Sequence, residues 1–188
     1  VTTETTTTAV EVDVRSLPAD SFTESDRARI DFAHKLAVLA VEAENVLATL
    51  CTDEAVSGDY AVQAAVVQAL ALHGVVAAAV TAERVRGTSW ECIGKPFHLD
   101  AEEAETKWGP KAGEWRSRTK VQSDLVRNPG QYLDYVDRHL ATGATATRSK
   151  ERRKLSSVID AAASVTGRDV AAADRAFAGQ EVCSHCHR

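Results

Sequence analysis

The sequence predicts an all-α fold: a long helical hairpin, a pair of short helices joined by a tight turn, and a smaller helical region towards the C-terminus. Composition points this way, because Ala, Val and Leu dominate a chain with only 5% aromatic residues. Ala costs least of all residues in a helix, whereas strands favour aromatic and β-branched side chains. Only ten Gly and four Pro punctuate the 188 residues, which leaves room for long uninterrupted elements. Apolar residues also recur at helical spacing behind recognisable capping pairs. A chain of this length buries a core without disulfides or metals.

Residues 1–22 open with a Thr-rich run of low complexity and are expected to form a disordered leader. Thr23 and Asp26 then supply a capping arrangement. Behind it Ile30, Ala33, Ala37 and Val41 share one face, so a helix is expected over 25–50. Ser57, Gly58 and Asp59 break the chain, and a second long helix is expected over 60–86. Its apolar stretch from Ala61 to Ala82 is interrupted by Gln63, Gln68, His73 and Gly74 and is richer in Ala than in Leu or Ile. That reads as a buried core helix, covered nearly all round, rather than a membrane span. Gly87 stops it, and short helices are expected over 89–95 and 101–108. Beyond Gly109 and Pro110 the stretch to Asn128 is basic and less periodic, followed by a helix over 131–140. The helical domain thus spans 23–140. Residues 141–188 are read as a flexible linker, ATGATAT, then short helices and a tail, CSHCHR.

The segment from about Val80 to Gly109 carries the most information. Thr88 with Glu91 and Asp100 with Glu103 each have capping-box spacing, so two helices begin in quick succession. Trp90, Ile93 and Phe97 fall on one face of the first, Leu99 lies in the turn, and Ala104 and Trp108 face inward from the second. Such positions let two small helices share a core with the long helix before them. The run Gly87, Ser89, Trp90, Ile93, Gly94, with Leu99, Ala104 and Trp108 after it, resembles a helix-turn-helix of actinobacterial DNA-binding proteins that carry a Gly-x-Ser-Trp-x-x-Ile-Gly motif. The resemblance covers about 30 residues. It implies a regulatory protein that binds double-stranded DNA, with Ala101, Glu102, Glu105 and Thr106 as the exposed positions of the recognition helix. The sequence departs from the pattern at Pro96, at His98 where that family usually has Gly, and in the acidity of the second helix.

Charge pulls in two directions. Residues 1–105 hold 7 Lys and Arg against 18 Asp and Glu, and residues 106–154 hold 12 against 5. Lys107, Lys111, Arg116, Arg118 and Lys120 follow the motif directly and form a stripe suited to a phosphate backbone. Glu102 and Glu105 repel phosphate, and among the bases only cytosine's amino group accepts them. The second reading is therefore an α-helical interaction or assembly module with a degenerate helix-turn-helix. A homo-oligomer is expected from the extent of the Ala- and Val-rich helices.

In the tail, Cys183, His185, Cys186 and His187 are candidate zinc ligands, with the spacing of half a site. No other cofactor is expected. Cys51 and Cys92 read as small core hydrophobes, not disulfide partners, and His34 and His73 as packed or surface residues. A second basic block, Arg148, Lys150, Arg152, Arg153 and Lys154, reads equally as a phosphate contact or a solvated helix start. No nucleophile–base pair or phosphate-cradling loop is evident, so no enzyme is expected. The N-terminal run lacks the basic and apolar regions of a secretory signal, and a cytoplasmic location is expected.

Overall fold

The computed structural model describes residues 12–49, 58–121 and 124–142 together with Leu155, Ile159 and Val170, and no strand occurs among them. The fold is all-α. Thr23 and Asp26 cap the first helix reciprocally. The Asp26 amide donates to Thr23 Oγ1 and the Thr23 amide donates to Asp26 Oδ2, both at 3.0 Å. Helix α1, Glu24–Thr49, follows. Helix α2, Asp59–Val85, packs back along it, with Ala28 of α1 meeting Ala82 and Val85 of α2. Between Leu70 and Val76 α2 is π-helical, its backbone bonds spanning one residue more than in the α-helical turns on either side.

Helix α3, Trp90–Gly94, ends in a 3₁₀ turn over Lys95–Phe97, and α4, Ala101–Val121, starts after three intervening residues. Ser89 caps α3 by accepting from the Cys92 amide at 3.3 Å. The cap is thus one residue later than Thr88, whose hydroxyl donates instead to Glu83 Oε2 at 2.6 Å. Asp100 and Glu103 form the expected reciprocal box at the start of α4, with bonds of 2.8 and 3.0 Å.

The stops of α2 and α3 are alike. The Thr88 amide donates to Glu83 O and the Gly87 amide to Arg84 O; the Leu99 amide donates to Gly94 O and the His98 amide to Lys95 O. Both stops need a left-handed residue, supplied by Gly87 at φ 85° and by His98 at φ 56°. In His98 the side chain makes that conformation cost about 1 kcal/mol.

Val80, Ile93, Ala104 and Trp108 form one cluster under α3 and α4, with Trp90 and Leu99 packed against it. Trp90 is half-buried, and its ring carries the Arg84 guanidinium 4.6 Å from its centroid. Phe97, expected inward, is 42% exposed and leans on Trp108 with ring centroids 4.8 Å apart. The closing 3₁₀ turn rotates it off the buried face of α3.

Three expectations are corrected. Residues 12–22 are not a disordered leader: Val14 and Phe22 are buried beside Ile30, Leu125 and Leu133. The Thr-rich run ends before these apolar side chains begin, and the part of the leader over 1–11 lies outside the described residues. The helix expected to stop at Trp108 continues through Gly109 and Pro110 to Val121. A second aromatic, Trp115, holds the continuation: its indole Nε1 donates to Asp31 Oδ2 of α1 at 3.0 Å. Finally, α2 is not covered all round. Only 17% of its most apolar window is buried, because the rest of the described chain covers just its C-terminal part.

A short helix α5, Asp124–Arg127, leads to α6, Pro129–Thr142, which packs on α1 and completes the core through Leu133. Leu155 and Ile159 join that core, and the Leu155 amide donates to Asp137 Oδ1 at 2.8 Å.

Gly94 sets the spacing of α3 and α4. A Cβ there would sit 2.5 Å from the Leu99 carbonyl oxygen and 3.2 Å from Ala104 Cβ. Gly94→Ala is therefore expected to destabilise the protein by about 1–3 kcal/mol, as overpacking does. Gly113→Ala, where a Cβ meets nothing within 4 Å, is expected to stabilise it by about 0.5–1 kcal/mol. Urea midpoints of the two variants check this, and a shift of the same sign in both would refute the tight approach.

Candidate nucleic-acid interface

One continuous helix carries nearly all the residues that a DNA contact would use. At about 100° of rotation per residue, their positions on α4 follow from its register. Ala104 and Trp108 are buried, at 0% and 4% exposure, and Trp115 lies further along the same side. Glu102, Glu105 and Thr106 fall on one flank of that buried line, with Ala101 at its edge. Lys107, Lys111 and Arg118 fall on the other. Arg116 returns to the acidic flank, where it lines one surface pocket together with Glu105. Lys120 is in the last turn of the helix.

The basic residues are also engaged within the protein. Arg116 Nε donates to Glu24 Oε1 at 3.1 Å, tying α4 to the start of α1. Arg118 pairs with Glu114 one turn earlier. Lys107 lies over the Trp108 ring, 4.9 Å from its centroid, and Lys111 Nζ is 3.5 Å from His73 Nδ1. Exposed pairs of this kind are worth only about 0–1 kcal/mol, so they do not lock the arginines away from phosphate. They do show that the stripe counted from the sequence is two half-stripes with separate neighbours.

The face around the turn is acidic. Glu91, Asp100, Glu102, Glu103 and Glu105 are all exposed, and Lys95 is the single lysine or arginine between Glu91 and Glu105. A phosphate backbone docking here meets carboxylates first.

Cys92 is half-buried and disulfide-bonded, which corrects its reading as a reduced core hydrophobe. The buried positions of α3 are Ile93 and Gly94, so Cys92 sits beside the core, not in it. The candidate zinc ligands Cys183, His185, Cys186 and His187 and the basic block at 148–154 lie outside the described residues. Among the described residues no group of three or more His, Cys, Asp or Glu is placed to hold a metal.

His34, read from the sequence as a packed or surface residue, is packed. Its ring lies against Tyr132 and Tyr135, at centroid distances of 4.6 and 5.1 Å, and its Nδ1 is buried without a hydrogen-bond partner. Burial lowers the His34 pKa, Lys35 lowers it further, and Asp31 opposes them. Asp134 and Arg138 of α6 border the ring on one side, and His73, Lys111, Glu114 and Arg118 lie across a cavity on the other.

Folding thus disfavours the protonated imidazole, so near neutrality the unfolded chain binds more protons than the folded one. The contribution of neutral His34 is fully present above the ordinary imidazole value of about 6.5 and is lost as the pH falls below it. Thermal unfolding between pH 7.5 and 5.5 is expected to show a midpoint falling with pH, with a shallower fall in His34→Gln. Identical pH profiles for the two proteins would rule this out.

Comparison with known proteins adds no relative to this picture: no family model, no curated protein and no solved structure matches the chain.

Proposed function

We propose that the protein is an α-helical association module that pairs with a second copy of itself, and that its α3–turn–α4 unit is a degenerate helix-turn-helix presenting an acidic face. One observation carries this reading: the large apolar side chains left exposed along α1 and α2. Leu36 and Leu47 of α1 and Tyr60, Val62, Val66 and Leu72 of α2 are all exposed, Val62 at 64%. Burying a single exposed Val or Leu side chain contributes about 1.5–3 kcal/mol, so covering even part of these six apolar groups favours association.

A second copy fits this face better than a flat partner. The two helices are tied at their far ends, where the Thr49 hydroxyl meets Gln63 Oε1 at 3.1 Å, and together they form half of a four-helix bundle. A two-fold axis placing a second hairpin against the first encloses both apolar faces with the same residues. Ala61, Ala64, Ala65 and Ala69 are small enough for the helices to approach closely.

A DNA-binding reading rests on a separate observation. The left-handed turn at His98 and the close approach of Gly94 to Ala104 support it, as do Lys107, Lys111 and Arg118, which share one flank of α4. The five exposed carboxylates around the turn weigh against it.

Light scattering on the wild-type protein at micromolar concentration is expected to give the mass of a dimer, and Val62→Glu/Val66→Glu the mass of a monomer with its helical content intact. A wild-type monomer at that concentration overturns the proposal. So does recovery of the wild type, but not the variant, with floated lipid vesicles, which would assign the same face to a membrane. Retardation of duplex DNA at low salt that is lost in Lys107→Ala/Lys111→Ala/Arg118→Ala would restore groove or backbone binding to the turn unit.

A further inference from the structure

The cavity beside His34 is lined by none of the exposed apolar side chains of the association face. It has a volume of about 470 Å³ and lies between α1, α2 and α4, closed at one end by Leu125 and Tyr132. That volume is typical of a small-molecule site. Its walls are mixed: Ala77, Ala78, Trp115 and Tyr132 supply apolar and aromatic surface, and charged groups stand around the opening.

The lining holds three cationic side chains, Lys35, Lys111 and Arg118, against two carboxylates, Asp31 and Glu114. Asp31 accepts the Trp115 indole proton, and Glu114 pairs with Arg118. Lys35 and Lys111 make no ion pair among the described residues, although both line the cavity. The 3.5 Å contact places the Lys111 ammonium as donor to His73 Nδ1, which leaves the His73 proton on Nε2 as a further donor. Two lysines and one imidazole donor beside an apolar slot suit a carboxylate carried on a flat ring.

The backbone supplies a second observation. The π-helical segment Leu70–Val76 lies at this cavity, and its central residues His73 and Gly74 are part of the wall. A π-helical turn is wider and less stable than the α-helix it interrupts, and such turns recur at functional sites. No proline falls in this stretch, its one helix-weakening residue is Gly74, and the α-helix resumes at Ala77. The segment presents His73 beside Lys111, at the mouth of the cavity.

We propose that the cavity between α1, the π-helical segment of α2 and α4 binds a small aromatic carboxylate, with Lys35 and Lys111 holding the carboxylate and Trp115 and Tyr132 flanking the ring. The binding is non-covalent.

Salicylate is a suitable probe, titrated into the full chain by calorimetry, with benzyl alcohol as the uncharged counterpart. The wild type is expected to bind salicylate saturably at one site per chain, and Lys35→Ala/Lys111→Ala about tenfold or more weakly, since each lysine contributes a charge-assisted contact. Benzyl alcohol is expected to give no saturable heat. Val62→Glu/Val66→Glu is expected to bind salicylate as the wild type does, which separates this site from the association face. Absence of saturable binding to the wild type overturns the proposal. Undiminished binding by the folded lysine variant overturns it equally. Amide and indole NMR shifts of the wild type locate the site even where the variant loses its helical circular dichroism. Shifts centred on Gly74 and the Trp115 indole support the proposal, and shifts elsewhere refute it.

Discussion

The indole of Trp115 is the contact on which the arrangement of helices depends. It packs against the core of α1 and α6 and against the Ala28–Ala82–Val85 cluster, and so joins two sets of apolar side chains. Its N–H donates to Asp31, a residue 84 positions away, so one ring fixes both the depth and the rotation of α4. Large aromatic side chains suit this role because they combine wide apolar faces with one directional polar group. With Trp115 seated, α4 closes over the end of α2, and the wall between Asp31 and Lys111 takes shape.

What was legible in the sequence was what is decided locally. The Thr23–Asp26 and Asp100–Glu103 caps are bonds between residues three apart, and their signatures alone located the starts of α1 and α4 within about one residue. Gly87 marked the end of α2 for an equally local reason, the left-handed backbone it adopts. The continuation of α4 was hidden because Gly109 and Pro110 are genuine breaking signals that a distant hydrogen bond overrules. The openness of α2 was hidden too. Hydrophobicity states that a helix benefits from cover and says nothing of what supplies it.

The basic stripe shows the same limit in electrostatic form. Counting residues gave one positive region, but position around the helix axis divides Lys107, Lys111 and Arg118 from Arg116, whose partner Glu24 lies 92 residues earlier. Charge read along a chain becomes charge on a surface only after the register of the helix and its neighbours are known. The cavity belongs to this category as well, since its wall combines residues from the first helix to the last described one.

The proline inside α4 bears on the order in which the molecule assembles. Pro110 has no N–H to offer the carbonyl of Thr106, and with Gly109 and Gly113 it disfavours an isolated helix by roughly 5 kcal/mol relative to alanine. Alone, the segment Ala101–Val121 is therefore mostly unfolded, whereas α1, which contains neither Gly nor Pro, has no such penalty. The helical state of the second half of α4 depends on the docking of Trp115 on α1. Winding of this helix and closure of the core are thus energetically coupled, and loosening either weakens the other.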